Sequence, residues 1–554
     1  MEARQHAAEA AVFDQSNLLQ RKKLLVVFSA LAISHFICFV DQTGIGVALP
    51  TIGRDLNAED TISWAGTSAL IANTIFQVLY GRMSDLFGTK SVLLSALALL
   101  TVSDLLCGLS RDATMLYVFR GLSGVANGGI ASLSAMIVSD IVTLKERGKW
   151  QGLIGACVGL GNMTGPFIAA AFAQQSTWRG FFWFVSPVSA ACGVLCLLVL
   201  PTPKDQPRAD MKLVLKRIDY GGIFFGSAGL ILLLIPIAGG GDYFAWASPM
   251  VVSMLAVGGC CMAAFVYIEH SVAILPMMPL SLFRSGPVSI MLLQNFLFGV
   301  VAYSQTYYLP LFFQNARLLS PLMSASLMLP MTASQMASSI LSGQYISRRE
   351  RYGEVIWLGF FLWTLSVGLT CMFNLSTPIW TMVVILSVQG LGIGAVFQPT
   401  LVAIQAHCTK SQRAVVISNR NFIRSLGGAV GLAISAAALQ NSLHTAMPAE
   451  FRSLSLSSYD TTDFNSLNPR QILQILQAYA TASRTVFIMN VPFMGLCLLG
   501  CFFIEDRGLQ RPDEVGEDVQ LKERHDGGGG EVEVSGDRRD HGKRMNEDVI
   551  VLSR

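Results

Sequence analysis

Apolar stretches of about twenty residues recur between residues 24 and 504, most of them parted by short polar loops. Hydrocarbon offers no partner to a bare N–H or C=O, so such stretches predict membrane-spanning helices whose backbone bonds are satisfied internally. Setting about 20 residues against roughly 30 Å of hydrocarbon places spans near 24–49, 63–80, 91–109, 115–138, 150–173, 181–200, 219–239, 250–268, 287–309, 323–346, 355–373, 379–400, 414–440 and 485–504, about fourteen in all. The chain is 52% hydrophobic and 14% charged, against about 25% charged in soluble domains. The expected fold class is therefore an all-α polytopic membrane protein.

Residues 1–23 contain acids and no early apolar core, so they read as a cytoplasmic segment ahead of a retained first helix. A net charge of +3 gives no reason to expect a nucleic-acid partner. The eleven cysteines lack metal-ligand spacing and read mostly as small packing residues. Alternate loops are richer in lysine and arginine: Arg82 and Lys90; Lys145, Arg147 and Lys149; Lys204, Arg208, Lys212, Lys216 and Arg217; Arg284; Arg348, Arg349 and Arg351; Lys410 and Arg413. Positive loops stay inside, so both termini are expected in the cytoplasm. The segment 505–554 is polar, rich in glycine and of mixed charge, and is expected to be a disordered tail.

Many secondary transporters show weak symmetry between two halves. "GRMSDLFGTK" follows the second span and "GQYISRRERYGEV" the tenth, while the fourth and twelfth carry the glycine ladders "RGLSGVANGG" and "QGLGIGAVFQ". Matching these places a six-helix half over 24–200, a linker with two inserted helices over 201–268, and a second six-helix half over 269–504.

The motifs resemble those of the major facilitator superfamily, in particular its fourteen-helix drug:proton antiporters of the fungal type. "GRMSDLFGTK" is similar to the loop signature G-x-L-x-D-x-x-G-R-K, with Met83 and Thr89 as departures. "YVFRGLSGVANGG" resembles R-x-x-Q-G with Ser123 for Gln, and "GLGNMTGPFIAA" resembles the antiporter signature G-x-x-x-G-P-x-x-G-G. "VDQTGIGVALP" is similar to the first-span signature D-x-T-x-x-x-x-A-L-P. The resemblance implies a major facilitator fold of two six-helix halves plus two inserted central helices. It also implies a transporter rather than an enzyme, working by alternating access and without a cofactor or metal.

Asp41 interrupts the first span, and a carboxylate at that depth needs a partner or a wet cavity. It is the candidate proton-coupling group, the alternative being a structural hydrogen-bonded acid. Arg120 in the fourth span is the second; the resemblance links its position with proton transfer, and a clamp on Asp41 or on backbone carbonyls is the competing reading. Gly81, Arg82, Asp85 and Gly88 form a candidate cytoplasmic gate, in which Asp85 caps the next helix or pairs with a base of the opposite half. Gly155, Gly159, Gly161, Gly165 and Pro166 give the fifth span a small-residue, kinkable face, which the resemblance associates with export. Asp104 is either a second titrating or cation-binding group or a residue reaching the outer interface. Arg424 either lines the cavity or anchors and packs.

Candidate substrate contacts are His35, Asn73, Gln77, Gln294, Asn295, Gln305, Tyr307, Tyr308 and Gln398. Few fixed charges among many apolar, aromatic and methionine surfaces suit amphipathic molecules. No phosphate-binding loop of the form G-x-x-x-x-G-K-S/T is present, so the energy source is expected to be an ion gradient. The expected function is proton-coupled export of drugs, toxins or secondary metabolites by a monomer in the plasma membrane. Import or vacuolar transport of siderophores or basic amino acids is the alternative on the same fold, and a non-transporting sensor the alternative of another class.

Overall fold

The computed structural model describes residues 20–58, 61–62, 64–201, 219–239, 244–409, 412–448, 468–506 and 508–509. The predicted loop residues Lys204, Arg208, Lys212, Lys216, Arg217 and Lys410, together with residues 1–19 and the tail from 510, lie outside that set. The first six long helices are α1 Arg21–Asp55, α2 Trp64–Phe87, α3 Thr89–Gly108, α4 Ala113–Ile141, α5 Leu144–Gln175 and α6 Arg179–Val199. Next come α7 Tyr220–Gly239 and α8 Pro249–Ser271. The last group is α9 Gly286–Leu311, α10 Pro321–Arg349, α11 Gly353–Thr370, α12 Ile379–Phe397 with its short continuation α13 Pro399–Ala406, α14 Arg413–Ala446 and α15 Pro469–Gly500.

Twelve of these rods are long and apolar enough to cross a membrane. The two that fall short of that measure are α2 and α10. Both bury polar side chains, Asn73, Gln77, Arg82 and Ser84 in α2 and Ser324, Ser338, Ser339 and Ser342 in α10. Both pack against the opposite half as well as their own: Gln77 accepts from Ser425 and Ser339 donates to the Gly152 carbonyl, whereas Ser338 donates to the Leu391 carbonyl of its own half. Their polarity is that of an internal interface. The last helix also differs from its prediction, beginning at Pro469 and not near 485. Arg470, Gln471, Gln474, Gln477 and Arg484 look like loop residues in sequence. Asn468 starts a helix there through a capping box with Gln471, and Pro469 fits the first turn, where its missing N–H costs nothing.

Helices α1–α6 surround one apolar core, with Leu31, Leu93, Leu97, Leu133 and Phe181 at its centre. Helices α9–α15 surround another, built on Phe312, Phe360, Trp363, Ile404 and Phe487. The inserted pair α7–α8 packs across the seam, where Leu230, Leu234 and Phe265 meet Ile75 and Leu79 of α2 and Phe422 of α14. An apolar cavity of about 410 Å³ lies beneath the pair, lined by Leu79, Met262, Phe265, Phe422 and Leu426 among others. The connector after α8 is held down at three points. The Glu269 carboxylate accepts from the Met277 and Met278 amides at 3.0 and 3.2 Å, Arg82 Nε donates to the Pro276 carbonyl at 2.6 Å, and Asn419 Nδ2 donates to the Met277 carbonyl at 2.9 Å.

The halves touch where side chains are smallest. A Cβ at Gly152 of α5 would meet the Ser339 carbonyl of α10, and one at Gly343 of α10 would meet the Gly148 carbonyl in return. Backbone cannot retreat as a flexible side chain can, and overpacking typically costs about 1–3 kcal/mol. Gly152→Val should therefore lower the midpoint of thermal unfolding by several degrees and reduce the monodisperse fraction on size exclusion. Gly259→Val, where nothing lies within 4 Å, should leave both near wild type.

Candidate functional site

Three helices of the first half bring polar groups to one buried point. Asp41 comes from α1, Asp104 from α3, and Arg120 with Asn127 from α4, two turns apart on the same helix face. Arg120 Nη1 donates to Asp41 Oδ1 at 2.7 Å, and Asn127 Nδ2 donates to Asp41 Oδ2 at 2.6 Å. Both Asp41 oxygens are engaged, and Arg120 is backed by the Phe182 ring, 5.8 Å from guanidinium carbon to centroid. Removing one member of such a pair strands the other's charge, at a cost of about 3–5 kcal/mol.

Asp104 is wholly buried, which rules out its reaching the interface, and it lies within electrostatic reach of both Asp41 and Arg120. Neither of its carboxyl oxygens accepts a hydrogen bond from any described residue. Sequence reading missed Asn127, which sits among glycines in "GVANGG"; its spacing of seven from Arg120 was the available signal.

The turns joining α2 to α3, α4 to α5, α10 to α11 and α13 to α14 gather at one end of the bundle, here called the basic end. Gly88 caps α3 with φ 83°, a left-handed conformation that favours glycine. Gly81 allows α2 to approach Ser418 of α14. Asp85 pairs with Arg82 of its own helix at 3.4 Å and lies within electrostatic reach of Arg413 of the opposite half, while α3 has no side-chain cap. The bonds between halves are made by other residues: Arg413 to Asp140 at 2.6 Å, Arg147 Nη1 to Gln405 Oε1 at 2.9 Å, and Lys145 to Glu350 at 2.8 Å. Asp140 was overlooked because it closes the apolar run "SAMIVSDIV".

At the opposite end Asp55 joins Arg179 at 2.6 Å and accepts from Trp178 Nε1 at 2.9 Å, all within the first half. Those bonds, that of Trp178 first, hold its carboxyl below the usual carboxylate range.

The glycines of α5 serve two partners. Gly155 and Gly159 face Ser339 and Met336 of α10, whereas Gly161 and Gly165 face Phe39, Val40 and Thr43 of α1. The helix runs unbroken through Pro166. Helix α5 therefore bears at once on the helix that carries Asp41 and on the opposite half.

The expected substrate contacts divide. Gln77 Nε2 donates to Asn73 Oδ1 at 2.6 Å and its Oε1 accepts from Ser425 of α14 at 3.0 Å, so this pair stands at the seam. His35 is buried and feels the charge of Arg424, and Gln398 lies against Gly155. Gln294 Nε2 donates to the Cys497 carbonyl, Asn295 Nδ2 to the Met291 carbonyl of its own helix, and Gln305 Oε1 accepts from Gln389 at 2.7 Å. The other amide atom of each, Gln294 Oε1, Asn295 Oδ1 and Gln305 Nε2, is buried without a partner among the described residues. Tyr308 reaches the Leu432 carbonyl at 3.5 Å, and Tyr307 is largely exposed. Arg424 is not a headgroup anchor. It is buried beside a second arginine, Arg420, that sequence reading did not single out, and both lie over the Phe397 ring at 4.9 and 5.0 Å.

Two helical halves closed against each other at one end, with a charge cluster inside the first, define a polytopic membrane transporter. The chain belongs to the Major Facilitator Superfamily, whose family model matches residues 31–432. It is 45% identical to Citrate exporter 1 of Yarrowia lipolytica over 93% of this chain and 77% of that protein. It is 39% identical to the MFS-type transporter clz4 of Cochliobolus lunatus, over 92% and 91% of the two chains. Efflux pump FUS6 of Gibberella moniliformis is 29% identical over 90% of each. The crystal structure of the human organic anion transporter MFSD10 (TETRAN) shares the fold, with a TM-score of 0.56 and 16% identity over 87% of this chain and 99% of that one.

The Asp140–Arg413 bond is the shortest ion pair joining the halves among the described residues. With exposed Cys260 replaced by alanine, a cysteine at buried Ser418 should react slowly with a water-soluble maleimide. Adding Asp140→Asn should raise that rate severalfold, whereas an unchanged rate would mean the pair does not hold the basic end shut.

Proposed function

We propose that the protein is a proton-coupled antiporter that exports small organic molecules, with Asp41, Asp104 and Arg120 as its coupling centre. The observation that carries this reading is the excess of carboxyl groups over cations in the cluster: two carboxyls share one guanidinium. The cluster is electroneutral when one proton is bound to the carboxyl pair. Two facing carboxylates repel, and a proton on either turns that contact into a hydrogen bond. Asp104 holds the exchangeable proton, because both Asp41 oxygens are already taken by Arg120 and Asn127.

Alternating access supplies the rest. The basic end closes through Asp140–Arg413 and the α5–α10 glycine contact, and rocking of the halves breaks these contacts to open it. With the positive loops inside, the basic end is cytoplasmic, both termini are cytoplasmic, and the plasma membrane is the site of export. The relatives named for citrate export and for efflux support outward transport of small organic molecules. They leave the charge of the cargo open.

The test is transport into proteoliposomes under an imposed pH gradient, with citrate and a lipophilic dye as probes. Wild type should concentrate at least one probe only while protons run the other way. Asp104→Asn should abolish accumulation at least tenfold while leaving exchange down a gradient, and Asp41→Asn should do the same with some loss of stability. Accumulation at wild-type levels in Asp104→Asn would remove Asp104 from the coupling centre.

A further inference from the structure

Arginines buried in this protein generally find an acid or a set of carbonyls, and Arg424 does neither. Arg120 has Asp41, Arg413 has Asp140 and Arg82 has Asp85. Arg420 and Arg424 pair with no Asp or Glu among the described residues. Arg420 is wholly buried and donates to neutral groups only: Asn421 Oδ1 at 3.0 Å, Thr400 Oγ1 at 3.2 Å and the Phe397 carbonyl. Arg424 is 9% exposed and makes no hydrogen bond or ion pair with any described residue; it lies over the face of Phe397, with Tyr303 within electrostatic reach. Two like charges four residues apart share one helix face and repel, and burial deepens the penalty. The pair is a local excess of buried positive charge that a counter-anion would balance.

The surroundings show where it would sit. Asn421 donates to Ser132 of α4 at 3.4 Å and Ser425 donates to Gln77 of α2 at 3.0 Å, which sets this stretch of α14 against the first half. From that half buried His35 lies within electrostatic reach of Arg424, its Nδ1 without a partner among the described residues. The geometry points to an anion site at the seam in which Arg420 and Arg424, assisted by His35, hold a compact organic di- or tricarboxylate. Guanidinium forks match carboxylates with paired N–H donors. Side chains four apart on a helix start about 5–6 Å from each other, close to the span between carboxylates separated by about two or three carbons. This narrows the amphipathic cargo that composition suggested to anions: a neutral compound leaves two buried cations unmatched, and a cationic one adds a third charge.

The inference deepens the export reading and rests on it for direction of transport, but not for binding, so binding is what to measure. Isothermal titration of the full-length protein in lipid nanodiscs would use citrate, tricarballylate and trimethyl citrate. Citrate and tricarballylate should bind and raise the unfolding midpoint, and the trimethyl ester should do neither. Arg424→Gln, whose side chain supports no hydrogen bond in the fold, should weaken citrate binding at least tenfold, and Arg424→Lys should recover part of the loss. Arg420→Gln should weaken it too, with reduced stability from the lost bonds to Phe397 and Thr400. Citrate binding unchanged by Arg424→Gln, or tighter binding of the ester than of citrate, would overturn the proposal. Citrate binding without proton-linked transport would leave the anion site standing and sink the antiport reading instead.

Discussion

A charge buried in a membrane-spanning bundle must be balanced inside the protein, because neither lipid nor bulk water can do it. In the first half Asp41 and Arg120 meet that demand at 2.7 Å, with Asn127 completing the carboxylate's shell. Helix α4 packs on both α1 and α3 and so brings their acids to this point. Asp104 adds a second acid that the local cation does not cover, and Arg420 and Arg424 in the second half are cations with no acid. Each half thus carries an imbalance of opposite sign.

Helix α1 links the two. Its Asp41 belongs to the first-half cluster, while its His35, about two turns earlier, lies within electrostatic reach of Arg424. Helix α5 presses on α1 through Gly161 and Gly165 and on α10 through Gly155 and Gly159. Side-chain-free contacts let backbones slide closely past each other, so movement of the halves is felt along α1. In the proposed cycle, filling the anion site and emptying the proton site are two consequences of the same displacement.

Much of the fold was legible in the sequence, because length and hydropathy mark a membrane helix directly. The polar helices α2 and α10 are predicted at 63–80 and 323–346 by length against the bilayer, although their polarity keeps them below a simple apolar threshold. The start of α15 was not found: glutamines and arginines on an amphipathic helix look like loop until a cap fixes where it begins. Asp41 and Arg120 stood out as charges within apolar runs, but their mutual bond is a tertiary fact that no local pattern holds. Asp85 is expected either to cap the next helix or to pair with a base of the opposite half, and it is Asp140 that bonds Arg413: both acids lie near helix ends, and the sequence does not say which one meets the base. Arg420, in "SNRNFIRSLGG", lies inside the predicted span 414–440 but does not stand out there, because it is set among polar residues and not within an apolar run.

Coupling is reciprocal, so a gradient of cargo must be able to drive protons as surely as a proton gradient drives cargo. The direct measurement is internal pH, followed with a trapped dye, in proteoliposomes given an outward citrate gradient and no initial pH difference. If proton and anion sites are filled in alternation, citrate leaving the vesicles will acidify the interior, and Asp104→Asn will abolish the acidification while citrate still exits. Citrate efflux through the wild-type protein with no change of internal pH would contradict the coupling assigned to Asp41, Asp104 and Arg120.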